Sequence, residues 1–367
     1  MIPLKPIFIF DLHNTLYDEV IEYGGAITAA IEYFLTIAKN QKVTIDETLL
    51  CRQLSDAHAR AGSDWDDDVW YDVAEIQKLK AFKAIIKQAV ALRRETSKNL
   101  TRAKTFKNTL DAIVRLKQEG ASIYVATEAT ENAASDAIRW LGLDGILDGV
   151  YAWPFKKSYQ KTKVTPIFPF PLNPYEPELS LQKPHPLILG TIILDIAKIE
   201  NRIPKQITAE EVFDFKLDEE LNIHVLRQAI EDHKSSGQQK RQVKEILRAI
   251  QTKLCIKKGI YQSVLEETQK RCFYVGDSFF KDGFLARNAD VPFIFAQYGK
   301  TVSKANKEVH KKNKDWLFRV TGWDKFLIKL TQEAERLPKL TDKIKPSFVC
   351  KRTFQEFVDF LEANVIG

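Results

Sequence analysis

The sequence predicts an α/β fold built on a doubly wound parallel sheet. Several short apolar runs, rich in Val, Ile and aromatic residues, are separated by stretches of helical periodicity. Runs of this kind are typical of strands buried on both faces. They cover residues 6–10, 122–126, 272–276 and 291–296, and the helical stretches between them cover residues 107–118 and 131–141. Strands that alternate with helices form parallel sheets, and ligands bind beyond the carboxyl ends of such strands.

Three stretches interrupt this alternation and predict insertions into a core formed by residues 1–19 and 104–367. Residues 20–103 carry helical periodicity and no convincing strand, so we expect a helical unit there. Residues 152–182 are dense in Pro and aromatic residues, which predicts an extended excursion. Residues 197–265 are basic and predicted to be helical, with one apolar face that packs on another element. That face consists of Val243, Ile246, Leu247, Ile250 and Leu254.

The composition is that of a soluble globular protein. The 367 residues include only 15 Gly and 14 Pro, which argues against collagen-like and disordered classes. No run approaches the ~18 apolar residues of a membrane span, and we expect a cytoplasmic protein without a signal peptide. The four cysteines form no CxxC pair, so they predict reduced thiols and no zinc site. A net charge of +6 is compatible with an anionic substrate and does not demand nucleic acid.

Polar residues follow the predicted strands in a characteristic order. The first run leads into the segment DLHNTL, the second into Thr127, and the third into GDSFFKD; a KPHP segment lies between the last two. This order resembles the haloacid dehalogenase superfamily of phosphatases and related hydrolases, which carries a nucleophilic Asp, a Ser or Thr, a Lys and an acidic motif at these places. The resemblance covers about residues 5–20, 105–150, 180–196 and 268–300, and leaves out the insertions. It implies that residues 20–103 form a helical cap.

The resemblance implies a role for each matching residue. Asp11 would attack phosphorus and form a transient acyl phosphate. Thr127, the backbone N–H of Glu128, and Lys183 would bind the phosphoryl oxygens. The implied Mg²⁺ ligands are Asp11, the main-chain carbonyl of His13, Asp277 and Asp282, of which Asp282 could instead orient Lys183 or a metal-bound water. The expected reaction is Mg²⁺-dependent hydrolysis of a small phosphorylated metabolite.

His13 departs from the pattern of the family's phosphatases, which place a second Asp two residues after the nucleophile. That Asp protonates the leaving oxygen and later activates water, a contribution of about 10²–10⁴-fold in rate. An imidazole could do this work, because its unperturbed pKa is about 6.5. The site could instead have changed to C–halogen or C–P chemistry, or the chain could be a weak or inactive enzyme that serves as a binding or scaffold protein. The residues leave these alternatives open.

Other charged segments suggest partners but have simpler interpretations. The basic segment 233–258 could bind nucleic acid, although it lacks the interleaved aromatic residues of single-strand binders, and a solvated helix face is the simpler interpretation. Residues 64–68 are mostly acidic and could touch substrate, but acidic residues are common at helix starts. His185 could approach the phosphate or simply occupy the variable position of a turn. The sequence does not specify an oligomeric state.

Overall fold

Seven parallel strands form the main sheet of the computed structural model, in the order β4-β3-β2-β1-β7-β8-β9. The structure describes residues 5–61, 67–103, 105–153, 164–166, 183, 185–218, 221, 247–300, 307–320 and 344–365. The strands of this sheet are β1 (Ile7–Phe10), β2 (Ser122–Thr130), β3 (Gly149–Trp153), β4 (Val164–Pro166), β7 (Cys272–Gly276), β8 (Phe293–Ala296) and β9 (Phe348–Cys350). The strand order reverses direction at β1, so the predicted doubly wound parallel sheet is confirmed.

The central strands are buried on both faces, as their sequences predict. In β1, Ile7 and Ile9 point into one hydrophobic cluster, while Phe8 and Phe10 point into a second cluster on the opposite face. Alternate residues of a strand face opposite sides of the sheet, so helices must cover both sides. All four residues are fully buried. This burial fixes the level at which β1 ends, and hence the position of Asp11.

The described helices are α1 (Glu19–Gln41), α2 (Glu47–Ala61), α3 (Ala74–Gln77), α4 (Phe82–Ala103), α5 (Lys107–Gln118), α6 (Glu131–Leu141), α7 (Leu187–Ile199), α8 (Ala209–Val212), α9 (Gln262–Arg271), α10 (Phe284–Asn288), α11 (Lys307–Val320) and α12 (Gln355–Val365).

Helix α1 begins where the Asp18 carboxylate accepts a hydrogen bond from the Ile21 N–H at 3.0 Å. By length and composition α1 alone among the described helices could cross a membrane, but most of it is buried in the fold, as in the core helix of a soluble protein.

Helix α11 follows β8 in the chain, yet it packs on the helical segment before β2. The side chain of Asn313 is buried against α1: its Oδ1 accepts a hydrogen bond from the Thr28 hydroxyl at 3.3 Å, and its Nδ2 donates to the Ile21 carbonyl at 3.4 Å. Leu317 and Val320 complete the hydrophobic cluster that α1 and α4 form. The segment of residues 20–103 therefore shares its core with a helix from a distant part of the chain.

The prediction that residues 197–265 are helical is wrong in part. Strands β5 (Phe213–Leu217) and β6 (Thr252–Ile256) form a separate antiparallel pair. Leu254, predicted on a helical face, lies in β6, where Thr252 and Leu254 are buried on the same side. A partner strand far away in sequence supplies hydrogen bonds that the local apolar pattern does not reveal. Residues 233–246 of the basic segment, with Val243 and Ile246, lie outside the described residues, as does most of 152–182.

The described part of the acidic segment 64–68 has a structural role. Asp67 forms ion pairs with Arg93 and Arg94 of α4. Arg93 is buried, and a buried guanidinium requires such a counter-charge. Residues 64–66 lie outside the described residues, so the alternative that the segment touches substrate stays untested.

Glu22, in the first turn of α1, is buried beneath α4, where the Ser97 hydroxyl donates to its Oε1. Burial raises the pKa of Glu22 from 4.5 to about 8, against the effect of that hydrogen bond. Because the folded-state pKa exceeds the unfolded value, stability falls as the pH rises from about 4.5 to about 8.

We therefore expect Glu22→Gln to raise the free energy of unfolding at pH 8, by about 2 kcal/mol, and to have little effect below pH ~4.5. Thermal denaturation at the two pH values measures the difference. Glu32→Gln, at an exposed glutamate on the same helix, is the control and should change neither. Equal stabilisation at both pH values would contradict the prediction.

Candidate active site

Four predicted residues from three parts of the chain converge at the carboxyl edge of the sheet. Carboxylate oxygens of Asp11, Asp277 and Asp282 all lie within 4.8 Å of one another. The Lys183 ammonium is placed between two of them, 2.5 Å from Asp11 Oδ1 and 2.9 Å from Asp282 Oδ1. The site thus combines three carboxylates with one buried cation.

Asp11 directly follows β1 and still belongs to the sheet through its backbone. Its N–H donates to the Val275 carbonyl of β7 at 2.8 Å, which fixes where the side chain leaves the sheet. Burial raises the pKa of Asp11 from 3.8 to about 6; Lys183 opposes this change and the Asp282 carboxylate adds to it. Near pH 7 the group is therefore an ionised carboxylate held in a poorly solvated position.

Asp277 and Asp282 are brought together by a π-helical turn at Phe279–Gly283. The Ser278 carbonyl accepts from the N–H groups of both Asp282, at 2.9 Å, and Gly283, at 3.1 Å. The Ser278 N–H in turn donates to Asp282 Oδ2 at 3.0 Å. A Cβ at Gly276 would overlap the Asp282 carboxylate, so the Gly of this segment is required for the close approach.

Lys183 is almost fully buried, and its charge is stabilised by its partners. Burial acts to lower the pKa of Lys183, but the Asp11 and Asp282 carboxylates outweigh it and raise the pKa well above 10.5. Tyr274 adds a hydroxyl that donates to Asp282 Oδ1 at 3.0 Å. Lys183 is therefore a permanent cation beside Asp11.

The donor set suits Mg²⁺, which prefers oxygen ligands and carboxylates in particular. Burial, followed by the charges of Asp282 and Asp11, raises the pKa of Asp277 well above 3.8. Asp11 and Asp282 are buried and Asp277 is half-buried. Lys183 pairs with the first two, so the cluster keeps excess negative charge, which a divalent cation would offset. Asp11, Asp277 and Asp282 therefore fit the predicted ion, and a carbonyl contribution from His13 remains a prediction.

His13 is half-buried, and its side chain turns toward the start of α1. Its Nδ1 lies 3.2 Å from Glu19 Oε1. Burial lowers the pKa of His13 from 6.5 to about 4, against the effect of the Asp11 charge. Burial also raises the pKa of Glu19, to about 7. Near neutral pH the imidazole is uncharged.

Thr127 and Glu128 lie at the same edge of the sheet. Because Phe10 pairs with Val125, Thr127 comes two residues beyond the level of Phe10 on the neighbouring strand. Thr127 is buried, and its hydroxyl accepts from the Ala129 N–H at 3.1 Å. It belongs to β2 itself, whereas the sequence placed it just after the strand. Its predicted contact with phosphate stays a prediction.

The Glu128 carboxylate bridges two other parts of the site, a role that the sequence analysis missed. Its Oε1 accepts from the backbone N–H of Lys183 at 3.0 Å, and its Oε2 accepts from Lys281 Nζ at 2.7 Å. Burial would raise the pKa of Glu128, but Lys281 and Lys183 together lower it. Only the presence of Lys281 within the GDSFFKD segment could have suggested this bridge.

His185 does not join this group. Its Nδ1 accepts from the Leu187 N–H at 3.2 Å, at the start of α7, and its ring packs edge-on against Phe215. This arrangement fits the simpler of the two interpretations of His185, that of a turn residue.

The loop after Asp11 is held by the turn at Gln297–Lys300, which the sequence analysis did not single out. The Tyr298 hydroxyl donates to the Thr15 carbonyl at 2.9 Å. A Cβ at Gly299 would overlap the Asn14 carbonyl oxygen, and it would lie 3.1 Å from the Asp277 Cβ.

Gly299→Ala is accordingly expected to displace the loop and to lower the free energy of unfolding by about 2 kcal/mol. Gly259→Ala is the matched control, because a Cβ there meets nothing within 4 Å. Urea denaturation measures both variants. Equal free energies of unfolding for the two variants would show that the loop after Asp11 can shift without loss of stability.

Comparisons with known proteins give similarity in structure only. No protein-family model matches the sequence, and no curated protein matches it. Solved structures similar to the chain include a magnesium-bound HAD-hydrolase of Bacillus subtilis, with 12% identity, a TM-score of 0.40, and coverage of 98% of this chain and 100% of that one. A haloacid dehalogenase-like hydrolase of Streptococcus pneumoniae has 13% identity, a TM-score of 0.35, and coverage of 97% and 98%. A predicted phosphoglycolate phosphatase of Haemophilus somnus has 12% identity and a TM-score of 0.35, and the match covers 82% of this chain and 88% of that one.

Proposed function

We propose that the chain is a Mg²⁺-dependent phosphatase of the haloacid dehalogenase type, which hydrolyses a small phosphomonoester through an aspartyl-phosphate on Asp11. The observation that carries this proposal is the position of Asp11, which belongs both to the carboxylate cluster and to the ion pair with Lys183. A nucleophile beside a cation and a metal site suits attack on an anionic phosphate.

In the first step a carboxylate oxygen of Asp11 forms a bond to phosphorus as the bond from phosphorus to the ester oxygen breaks. The Lys183 ammonium, the Thr127 hydroxyl and the Glu128 backbone N–H are the donors proposed for the phosphoryl oxygens. Mg²⁺ held by Asp11, Asp277 and Asp282 would supply positive charge that offsets the repulsion between two anions. Asp282 also holds Lys183 in place, through the 2.9 Å ion pair.

In the second step a water oxygen attacks phosphorus and the bond to Asp11 breaks, which frees the carboxylate and inorganic phosphate. His13 is the candidate base for this water, because a neutral imidazole has a free lone pair. Glu19 contacts Nδ1, so Nε2 is the nitrogen left for the reaction. The first step needs an acid for the leaving oxygen, and a histidine with a pKa of about 4 is rarely protonated at pH 7. We therefore expect faster turnover of aryl phosphates than of alkyl phosphates.

The test measures phosphate release from a panel of phosphometabolites and from p-nitrophenyl phosphate, with Mg²⁺ and with EDTA. Beryllofluoride, which mimics an aspartyl-phosphate, should bind only with Mg²⁺ and only when Asp11 is intact. Circular dichroism confirms that each sample is folded. If folded protein neither released phosphate from any substrate nor bound beryllofluoride, the proposal would be refuted.

A second candidate is a binding protein on a hydrolase fold, and the His13–Glu19 contact favours it, since it engages the residue at the acid–base position. His13→Asp distinguishes the two. Activity that appears only in the variant would favour the binding protein, whereas activity already present in the wild type would favour the enzyme. Halide release without Mg²⁺ would instead indicate C–halogen hydrolysis.

A further inference from the structure

Glu128 places a negative charge where the proposed substrate carries its own. Glu128 directly follows Thr127, and its backbone N–H is a proposed donor to the phosphoryl oxygens. The same residue therefore brings a carboxylate to this part of the site. An uncompensated carboxylate a few ångström from a phosphate dianion would oppose binding. The structure shows how this charge is compensated.

Both carboxylate oxygens of Glu128 are occupied by the protein. The Lys183 backbone N–H donates to Oε1 at 3.0 Å, and Lys281 Nζ donates to Oε2 at 2.7 Å. Lys281 comes from the π-helical turn, one residue before Asp282. The side chains of Lys281 and Glu128 are 34% and 30% exposed, so the pair is partly accessible to solvent.

We propose that Lys281 is a positioning residue for the phosphate site, which neutralises Glu128 and keeps its carboxylate bound to the protein instead of facing the ligand. This inference rests on the proposed function. It differs from a direct role of Lys281 in binding phosphate, because the effect of Lys281 then depends on the charge at position 128. Removing both charges should restore what removing Lys281 alone takes away.

A matched pair at the other end of β2 provides the control. Asp148 accepts from Lys117 Nζ at 2.6 Å and from the Ile123 backbone N–H at 2.7 Å, as Glu128 accepts from a lysine and a backbone N–H. The side chains of Lys117 and Asp148 are 33% and 32% exposed. Ile123 lies near the amino end of β2, away from the site, so Lys117→Gln removes an equivalent charge without touching the site.

The experiment measures binding of inorganic phosphate by calorimetry, in the presence of Mg²⁺. Lys281→Gln should weaken phosphate binding about 10-fold. Lys281→Arg, which keeps the positive charge, should retain most of the wild-type affinity. Glu128→Gln, which removes the charge and keeps the backbone N–H, should bind phosphate more tightly than Lys281→Gln does. The double variant should lie within about 3-fold of Glu128→Gln, because the two sites are coupled. Lys117→Gln should leave binding unchanged.

Two results would overturn the inference while the proposed function stands. One is that Lys281→Gln has no effect; the other is that it weakens binding equally whether position 128 is Glu or Gln, which would mean a direct contact with phosphate. If wild-type protein bound no phosphate and released none from any substrate, the proposed function would fail and the inference with it. Melting temperatures show whether each variant is folded.

Discussion

Asp11→Asn is expected to lower the rate of phosphate release about 10³-fold or more, because an amide cannot form the aspartyl-phosphate. The variant should also bind no beryllofluoride. Its metal-free free energy of unfolding should be unchanged or higher at pH 7.5, because burial raises the pKa of Asp11 to about 6 and so makes its charged form unfavourable in the fold. Loss of activity together with retained stability separates a chemical role from a structural one.

The measurement combines turnover of p-nitrophenyl phosphate with urea denaturation. Asp148→Asn is the control, since Asp148 lies at the opposite end of β2 and pairs with Lys117. Asp148→Asn should keep its activity. Residual Mg²⁺-dependent turnover in Asp11→Asn, above a few per cent of the wild type, would point to another nucleophile.

The central strands could be predicted because each contains a run that is buried on both faces and is therefore apolar. Strands β4 and β9, which form the two edges of the sheet, were not predicted because they are short. Strand β3 (Gly149–Trp153) was not predicted either, although it is longer than β1. β4 spans only Val164–Pro166 and β9 only Phe348–Cys350. Three residues carry too little periodicity to be told from a loop. Leu254 was predicted to be helical because it continues the spacing of Leu247 and Ile250. It lies in β6 instead, and its antiparallel partner strand, some forty residues earlier in the chain, cannot be identified from this local pattern.

The candidate site was predictable where topology alone brings residues together. Asp11, Thr127 and Asp277 come at or near the ends of adjacent strands, and parallel strands place their carboxyl ends at one edge. Glu128 with Lys281, and His13 with Glu19, could not be found in this way. The first pair joins residues 153 positions apart. Glu19, at a helix start, has the usual appearance of an acidic residue favoured by the helix dipole.

Loss of Lys183 should strongly lower the free energy of unfolding. This residue is 4% exposed and forms ion pairs with Asp11 and Asp282. Removing one partner of a buried pair leaves uncompensated charge, so we expect Lys183→Met to lower the metal-free free energy of unfolding by about 3–5 kcal/mol at pH 7.5. Phosphate binding should be lost as well.

Lys281→Met provides the comparison, since its pair with Glu128 is partly exposed and should cost less than about 1 kcal/mol. Adding Asp282→Asn to Lys183→Met should recover part of the stability, because one of the two carboxylates that lost their cation is then replaced by a neutral amide. Lowering the pH should also narrow the gap in stability, because Lys183 holds the pKa of Asp11 down and its loss lets Asp11 take up a proton more readily. Equal stability of Lys183→Met and Lys281→Met in urea denaturation would mean that Asp11 and Asp282 do not depend on Lys183. The buried cation would then be no requirement of the folded site.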